Sequence, residues 1–125
     1  MDINEARGQI VDAAIKVHRA LGPGLLESAY EACLLFELHR RGLQTGSQVP
    51  LPVTYETVKI DAGYRIDLLV EDAIIVEVKS VEQLAPIHRA QLLSYLRLSG
   101  KHLGLLINFN TILLKDGIVR LVNKL

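Results

Sequence analysis

The chain has 125 residues, of which 50% are hydrophobic and 5% aromatic, and we predict one domain over residues 1–125 with an aliphatic core. With a net charge of zero, the chain has no overall electrostatic attraction to nucleic acid or acidic lipid, which argues against a passive DNA coat. The sequence has neither the roughly 20-residue apolar run of a membrane-spanning helix nor a signal peptide, so we expect a cytoplasmic protein without membrane contact.

Two helices are predicted at the start of the chain. Apolar residues at helical spacing, among them Ile10 and Val17, indicate a first amphipathic helix from Ile3 to about Leu21. The sequence Gly22-Pro23-Gly24 ends this helix, and a second helix follows from about Leu25 to Arg41. The predicted buried stripe of the second helix consists of Leu26, Ala29, Tyr30, Cys33 and Leu34.

The middle of the chain predicts strands. Residues 44–59 contain β-formers interrupted by Pro50 and Pro52, which confine this segment to an edge strand or a bulged hairpin. Residues 64–70 and 74–79 follow as two strands joined by a short turn.

The last third of the chain predicts a helix and more strands. Pro86 suits the first turn of a helix that Gly100 closes. Residues 103–109 are almost entirely apolar, as in a strand covered on both faces. Asp116-Gly117 predicts a hairpin between residues 112–114 and residues 118–121. The order α-α-β-β-β-α-β-β predicts an α/β fold, a mixed β-sheet flanked by helices.

The central pair of strands has an unusual charge pattern. If the apolar residues of both strands face one core, Val70 pairs with Ile74 and residues 71–73 form the turn. This register places Asp67 directly opposite Glu77, with their Cβ atoms about 4.5–5.5 Å apart. Opposed carboxylates are destabilising unless a cation lies between them, and Mg²⁺ typically takes one or two carboxylates.

Lys79 projects from the same face as Glu77, two residues further along the strand. There its ammonium group is placed to hold a water molecule or to stabilise negative charge on a phosphate. The alternative is an ordinary solvated strand face with a weak ion pair between Glu77 and Lys79.

Two motifs connect these residues to a known family. Asp67 followed by Glu77-Val78-Lys79 resembles the signature of the PD-(D/E)XK nuclease superfamily, with Ile66 in place of the proline. Residues 24–30, Gly-Leu-Leu-Glu-Ser-Ala-Tyr, resemble the heptad of the small bacterial GxxExxY proteins of this superfamily. The resemblance extends from the first helix to the last strand and implies a restriction-endonuclease-like fold.

The resemblance also implies site residues. Metal ligands would be Asp67, Glu77 and the Val78 carbonyl, and Glu27 would complete the acidic cluster through water. Gln91 and Tyr95 resemble the Gln-x-x-x-Tyr of exonuclease-type members and share one helix face. The implied catalytic residues are Glu27, Asp67, Glu77, Lys79 and Gln91, and the predicted substrate contacts are Tyr30, Tyr95, Arg65 and Arg89.

The favoured hypothesis is a Mg²⁺- or Mn²⁺-dependent nuclease that hydrolyses phosphodiester bonds of nucleic acid. The main alternative is a non-catalytic module that retains the fold and binds nucleic acid, a protein partner or a second copy of itself. A third interpretation, a nucleotide hydrolase, would use Gly22-Pro23-Gly24 at a helix N-terminus as its phosphate cradle. The sequence leaves DNA or RNA, paired or unpaired strands, and the mode of cutting open.

Overall fold

A computed structural model describes residues 1–124 and contains three α-helices and seven β-strands. No helix in this range is long and apolar enough to cross a membrane. The elements are α1 (Ile3–Leu21), α2 (Glu27–Arg40), β1 (Thr45–Pro50), β2 (Val53–Tyr55), β3 (Val58–Ile60), β4 (Arg65–Val70), β5 (Ile74–Lys79), α3 (Pro86–Ser99), β6 (Leu103–Asn108) and β7 (Ile118–Val122).

Five strands form one mixed sheet in the order β1-β4-β5-β6-β7, and β2 and β3 form a separate hairpin. Only β5 and β6 are parallel, since α3 carries the chain from one to the other, while the remaining neighbours are antiparallel. The predicted α/β class, a mixed sheet flanked by helices, is confirmed.

The sheet is covered on both faces. Ile74, Val76 and Val78 of β5 belong to one buried cluster with α1 and α2, whereas Ile75 belongs to a second cluster with Leu92 of α3. The alternation of a strand sends successive side chains to opposite faces, so β5 is buried on both faces from Ile74 to Val78. Glu77 therefore lies in a strand with almost no access to solvent.

Prolines determine the structure after α2 as predicted. β1 is an edge strand that ends at Pro50, and the chain then leaves the sheet for the β2–β3 hairpin. Proline has no N–H to donate and therefore fits an edge strand, and the last backbone hydrogen bond of this pairing runs from the Leu51 N–H to the Tyr64 carbonyl at 3.0 Å.

Two predictions about element ends are wrong. Leu26 is 77% exposed and lies just before α2, which begins at Glu27 instead of Leu25. Residues 112–114 form no strand, because Ile112 is 87% exposed and Leu114–Gly117 is a short 3₁₀ turn. β7 pairs instead with β6 in the antiparallel direction and satisfies the backbone groups on the outer edge of β6.

Candidate active site

The backbone pairing of the β4–β5 hairpin stops before its open end. Its ladder runs from Val70 paired with Ile74 to Leu68 paired with Val76 and stops there. At the next position the Asp67 N–H donates to Glu77 Oε2 at 2.9 Å, and the Val78 N–H donates to Asp67 Oδ2 at 2.8 Å. The two carboxylates thus replace the backbone ladder, in the register that side-chain alternation predicts. We call this arrangement the acid fork.

Glu77 is the most perturbed group at the acid fork. Only 4% of the residue is exposed. Burial, followed by the negative charge of Asp67, raises the pKa of Glu77 to about 8, and the charge of Glu31 adds to the shift. A buried carboxylic acid surrounded by other acids has a strong electrostatic preference for a nearby cation.

A third acid, Glu31, lies beside the acid fork. Gln48 Nε2 donates to both carboxylate oxygens of Glu31 at 3.0 Å and to Asp67 Oδ1 at 3.3 Å, so one amide bridges two acids. Burial raises the pKa of Glu31, as does the charge of Asp67. The sequence prediction missed both Glu31 and Gln48. The available signal was the position of Glu31 one helical turn after Glu27, which places both acids on the same face of α2.

The backbone at Gln48 is strained. Its φ of +53° is in the left-handed region although its neighbours Ser47 and Val49 continue the ladder with β4. For a residue other than glycine this conformation costs on the order of 1–3 kcal/mol, and such strain is typical of functional sites. Here it accompanies an amide that reaches Glu31 and Asp67 together.

The Gly24–Tyr30 heptad attaches the α1–α2 connection to the end of β5. Glu27 Oε2 accepts a hydrogen bond from the Ser80 N–H at 3.1 Å, and the Ser80 hydroxyl donates to the Leu25 carbonyl at 2.6 Å. Glu27 thereby holds the residue that follows Lys79. Its own carboxylate is exposed to solvent.

Tyr30 is fully buried and therefore has no surface to offer a substrate, contrary to the predicted contact. Its hydroxyl donates to the Gly22 carbonyl at 2.5 Å and accepts from the Leu25 N–H at 3.1 Å. Its ring stacks on Phe109 with centroids 4.6 Å apart. Because Tyr30 occupies the Leu25 amide, the loop is a poor phosphate cradle, which removes the support for a nucleotide hydrolase.

Lys79, Gln91 and Tyr95 meet in an open cleft of about 600 Å³ between α3 and the β2–β3 hairpin. Gln91 Nε2 donates to the Tyr95 hydroxyl at 3.3 Å, so the two residues share one helix face as predicted. Lys79, two residues after Glu77 on β5, lines this cleft, which therefore adjoins the acid fork. The pKa of Tyr95 is raised by burial and by the charges of Glu77 and Asp67.

The two predicted arginine contacts lie in different places. Arg65 is exposed at the start of β4, and its guanidinium donates to the Tyr64 carbonyl at 2.9 Å. Arg89 lines a separate, polar depression with Glu82 and Asp116, away from the cleft. Arg65 is thus close to the cleft, whereas Arg89 is not brought to it.

The donor set at the acid fork fits a hard divalent cation. The side chains are carboxylates, and the Val78 carbonyl also points into the fork, since the N–H and C=O of one strand residue face the same side. Throughout residues 1–124, no Lys or Arg forms an ion pair with Glu31, Asp67 or Glu77. The same range contains no group of three His, Cys, Asp or Glu side chains arranged to hold a metal ion.

Comparison with known proteins gave one match. The sequence model of the PD-(D/E)XK nuclease superfamily matches residues 4–121, nearly the whole chain. Neither the curated proteins nor the solved structures gave a significant match.

Proposed function

The chain belongs to the PD-(D/E)XK nuclease superfamily, and from this membership we propose that it is a divalent-metal-dependent nuclease that hydrolyses phosphodiester bonds of DNA or RNA. The observation that carries the proposal is the acid fork, where Asp67 and Glu77 oppose each other beside Lys79. Because the pKa of Glu77 is raised from 4.5 to about 8, the folded protein at neutral pH retains a proton that the unfolded chain releases, and this costs stability that a bound cation would restore.

Asp67, Glu77 and the Val78 carbonyl would hold Mg²⁺ or Mn²⁺, the class of ion that these nucleases generally use. When bound, such an ion activates water and offsets negative charge on the reacting phosphate. Gln48 donates hydrogen bonds to both Glu31 and Asp67, and so holds the Asp67 carboxylate in place. Glu27 would contribute only through water, because one of its oxygens is already held by the Ser80 N–H.

The remaining residues of the site act on the nucleic acid. Lys79 supplies a fixed positive charge at the edge of the cleft, where a phosphate approaching Asp67 and Glu77 would lie. Gln91 and Tyr95 form a hydrogen-bonded pair that lines the same cleft as Lys79 and would contact the substrate there. Arg65 is placed for a contact with the phosphate backbone near the same cleft.

A cleavage assay tests this proposal. Labelled single- and double-stranded DNA and RNA are incubated with the protein in Mg²⁺, in Mn²⁺ and in EDTA. We expect metal-dependent cutting that Asp67→Asn and Lys79→Ala each reduce by about 100-fold or more, since both remove charge from the reacting centre. Lys59→Ala is the matched control, because Lys59 is exposed on the β2–β3 hairpin.

Two outcomes would count against the nuclease. Cutting that persists in both Asp67→Asn and Lys79→Ala would come from another source, such as a contaminating enzyme. Binding of an oligonucleotide without any cutting would favour the non-catalytic module, in which the same fold serves only to hold nucleic acid or a protein partner.

We further propose that the chain is one of the GxxExxY proteins and that residues 1–125 form a single nuclease-like domain. The heptad supports the first statement, because Gly24, Glu27 and Tyr30 all help to fix the loop beside the acid fork. The match over residues 4–121 and the continuous sheet support the second.

A further inference from the structure

We propose that the cleft beside Lys79 binds an unpaired nucleobase, so that the substrate is a single strand or the single-stranded end of a longer nucleic acid. This inference rests on the proposed nuclease function and names the substrate class of the same site.

The cleft has the walls of a base-binding recess. Its volume of about 600 Å³ lies within the range of about 300–1,000 Å³ in which proteins bury small ligands. Most of the surface around it is apolar or aromatic, and much of that surface faces solvent: Ile87 is 70% exposed and Leu98 39% exposed. Exposed apolar groups gathered in one recess are typical of a binding site. The apolar and aromatic wall consists of Val53, Tyr64, Ile87, Ala90, Tyr95 and Leu98.

Tyr64 provides a stacking platform. The residue is 44% exposed, and its ring meets the ring of Tyr95 in a T-shaped contact with centroids 6.1 Å apart. Tyr95 is itself buried and hydrogen-bonded to Gln91, so it holds the Tyr64 ring in place. Proteins that bind single strands stack successive bases on such fixed aromatic side chains.

One end of the cleft is polar and adjoins the acid fork. Lys79, His88 and Gln91 line it. His88 Nδ1 accepts a hydrogen bond from the Ala85 N–H at 3.0 Å, so the neutral ring carries its proton on Nε2 as a donor. A nucleotide with its base among the apolar side chains would therefore meet N–H donors and an ammonium group where its phosphate emerges.

A paired base cannot use this recess. Within a duplex the base faces are stacked on their neighbours, and a base must leave the stack to enter a pocket. Duplex binding also relies on many phosphate contacts from Lys and Arg. The chain has 14 Lys and Arg residues balanced by 14 Asp and Glu residues, so it has no overall positive charge to attract a duplex.

The test measures binding without cutting. The full chain is titrated, in Ca²⁺ in place of Mg²⁺, into a single-stranded oligonucleotide that carries 2-aminopurine, and into the same oligonucleotide annealed to its complement. We expect the single strand to bind at least about tenfold more tightly and its fluorescence to change on stacking. Equal affinity for the duplex would overturn the inference.

Variants locate the bound base. Tyr64→Ala should weaken single-strand binding by about tenfold, and Tyr64→Phe should retain it, since stacking needs only the ring. Tyr55→Ala is the matched control, because Tyr55 is 68% exposed on the neighbouring β2–β3 hairpin but does not line the cleft. An unchanged affinity in Tyr64→Ala, or an equal loss in Tyr55→Ala, would overturn the inference.

A surface substitution covers the case in which Tyr64→Ala fails to fold. Ile87→Glu places a negative charge in the exposed apolar wall and should abolish the single-strand preference, while Ile112→Glu, at an 87% exposed position elsewhere, should not. Unchanged binding by Ile87→Glu would also contradict the inference. Because binding is measured without turnover, a single-strand preference in a protein that cuts nothing would contradict only the nuclease.

Discussion

Glu31, Asp67 and Glu77 bring three carboxylates to one end of the β4–β5 hairpin. Gln48 separates two of them by donating to both, in a backbone conformation that its own side chain does not favour. This arrangement keeps Asp67 in place while its charge is uncompensated. We therefore regard Glu31 as a positioning residue that acts on the metal site through Gln48 and Asp67.

Replacing Glu31 tests this role. Glu31→Gln removes one charge and one acceptor of the Gln48 amide, so we expect the affinity of the protein for Mn²⁺ to fall by about 10- to 100-fold, as when other outer partners of metal ligands are lost. Isothermal titration calorimetry of the metal alone measures the change. Glu56→Gln, at an exposed position in the β2–β3 turn, is the matched control. Equal dissociation constants for the two variants would show that Glu31 has no part in the site.

The sequence predicted the opposed pair Asp67 and Glu77 but not Glu31 and Gln48. Face alternation along two neighbouring strands is enough to oppose Asp67 and Glu77, because only one register buries both apolar sets. Glu31 and Gln48 could not be found in that way. Their meeting depends on how α2 crosses the edge of the sheet and on a single residue with positive φ, and neither follows from local pattern.

At the scale of elements, the packing of α3 against the sheet positions Gln91 and Tyr95. Gly104 of β6 allows a close approach, because a Cβ added there would lie 2.9 Å from Leu92 Cδ1 of α3. Leu92 is fully buried and directly follows Gln91 in sequence. A methyl group added at residue 104 would therefore press on the residue next to Gln91.

We expect Gly104→Ala to lower the free energy of unfolding by about 1–3 kcal/mol through overpacking. It should also reduce cleavage, because displacing the buried Leu92 disturbs the neighbouring Gln91. Urea denaturation measures the stability. Gly8→Ala is the matched control: Gly8 lies in α1 with open space where the added methyl group would go, and the substitution should be neutral or stabilising by up to about 1 kcal/mol. If Gly104→Ala were as stable as the unsubstituted protein, the close packing of α3 would not matter.

Sequence patterns were sufficient to predict several ends of the helices. Helix stops at Gly42 and Gly100 have the positive φ that their sequence context indicates, and Pro86 begins α3. The predicted final hairpin was wrong because Asp116-Gly117 closes a 3₁₀ turn, where a Cβ on Gly117 would meet the Asn108 carbonyl oxygen. A glycine needed for close approach looks the same in sequence as a glycine needed for a hairpin turn.

For the whole molecule, Glu77 couples folding to pH. Its pKa is raised from 4.5 to about 8 in the folded protein. Between these values the unfolded chain releases a proton that the folded chain retains, so the metal-free protein should lose stability as pH rises from 4.5 to about 8. Chemical denaturation in EDTA across this range measures the slope. Glu77→Gln, which cannot ionise, should flatten it, and an equally steep slope in that variant would assign the effect to other groups.

A divalent cation should offset this dependence. Binding requires the ionised form of Glu77, so each ion bound below pH 8 displaces a proton, and the apparent affinity for Mn²⁺ should increase by up to about tenfold per pH unit until it levels off near pH 8. Because the ion binds only the folded chain, the rise in melting temperature that about 1 mM Mn²⁺ produces should be larger near pH 8 than near pH 6. Thermal denaturation with and without the ion, near pH 6 and near pH 8, measures the two rises in melting temperature. A stabilisation by Mn²⁺ that is independent of pH, or that survives in Glu77→Gln, would mean that the ion binds elsewhere. Loss of the stabilisation in Glu77→Gln would connect the charge of one buried carboxylate to the stability of the entire fold.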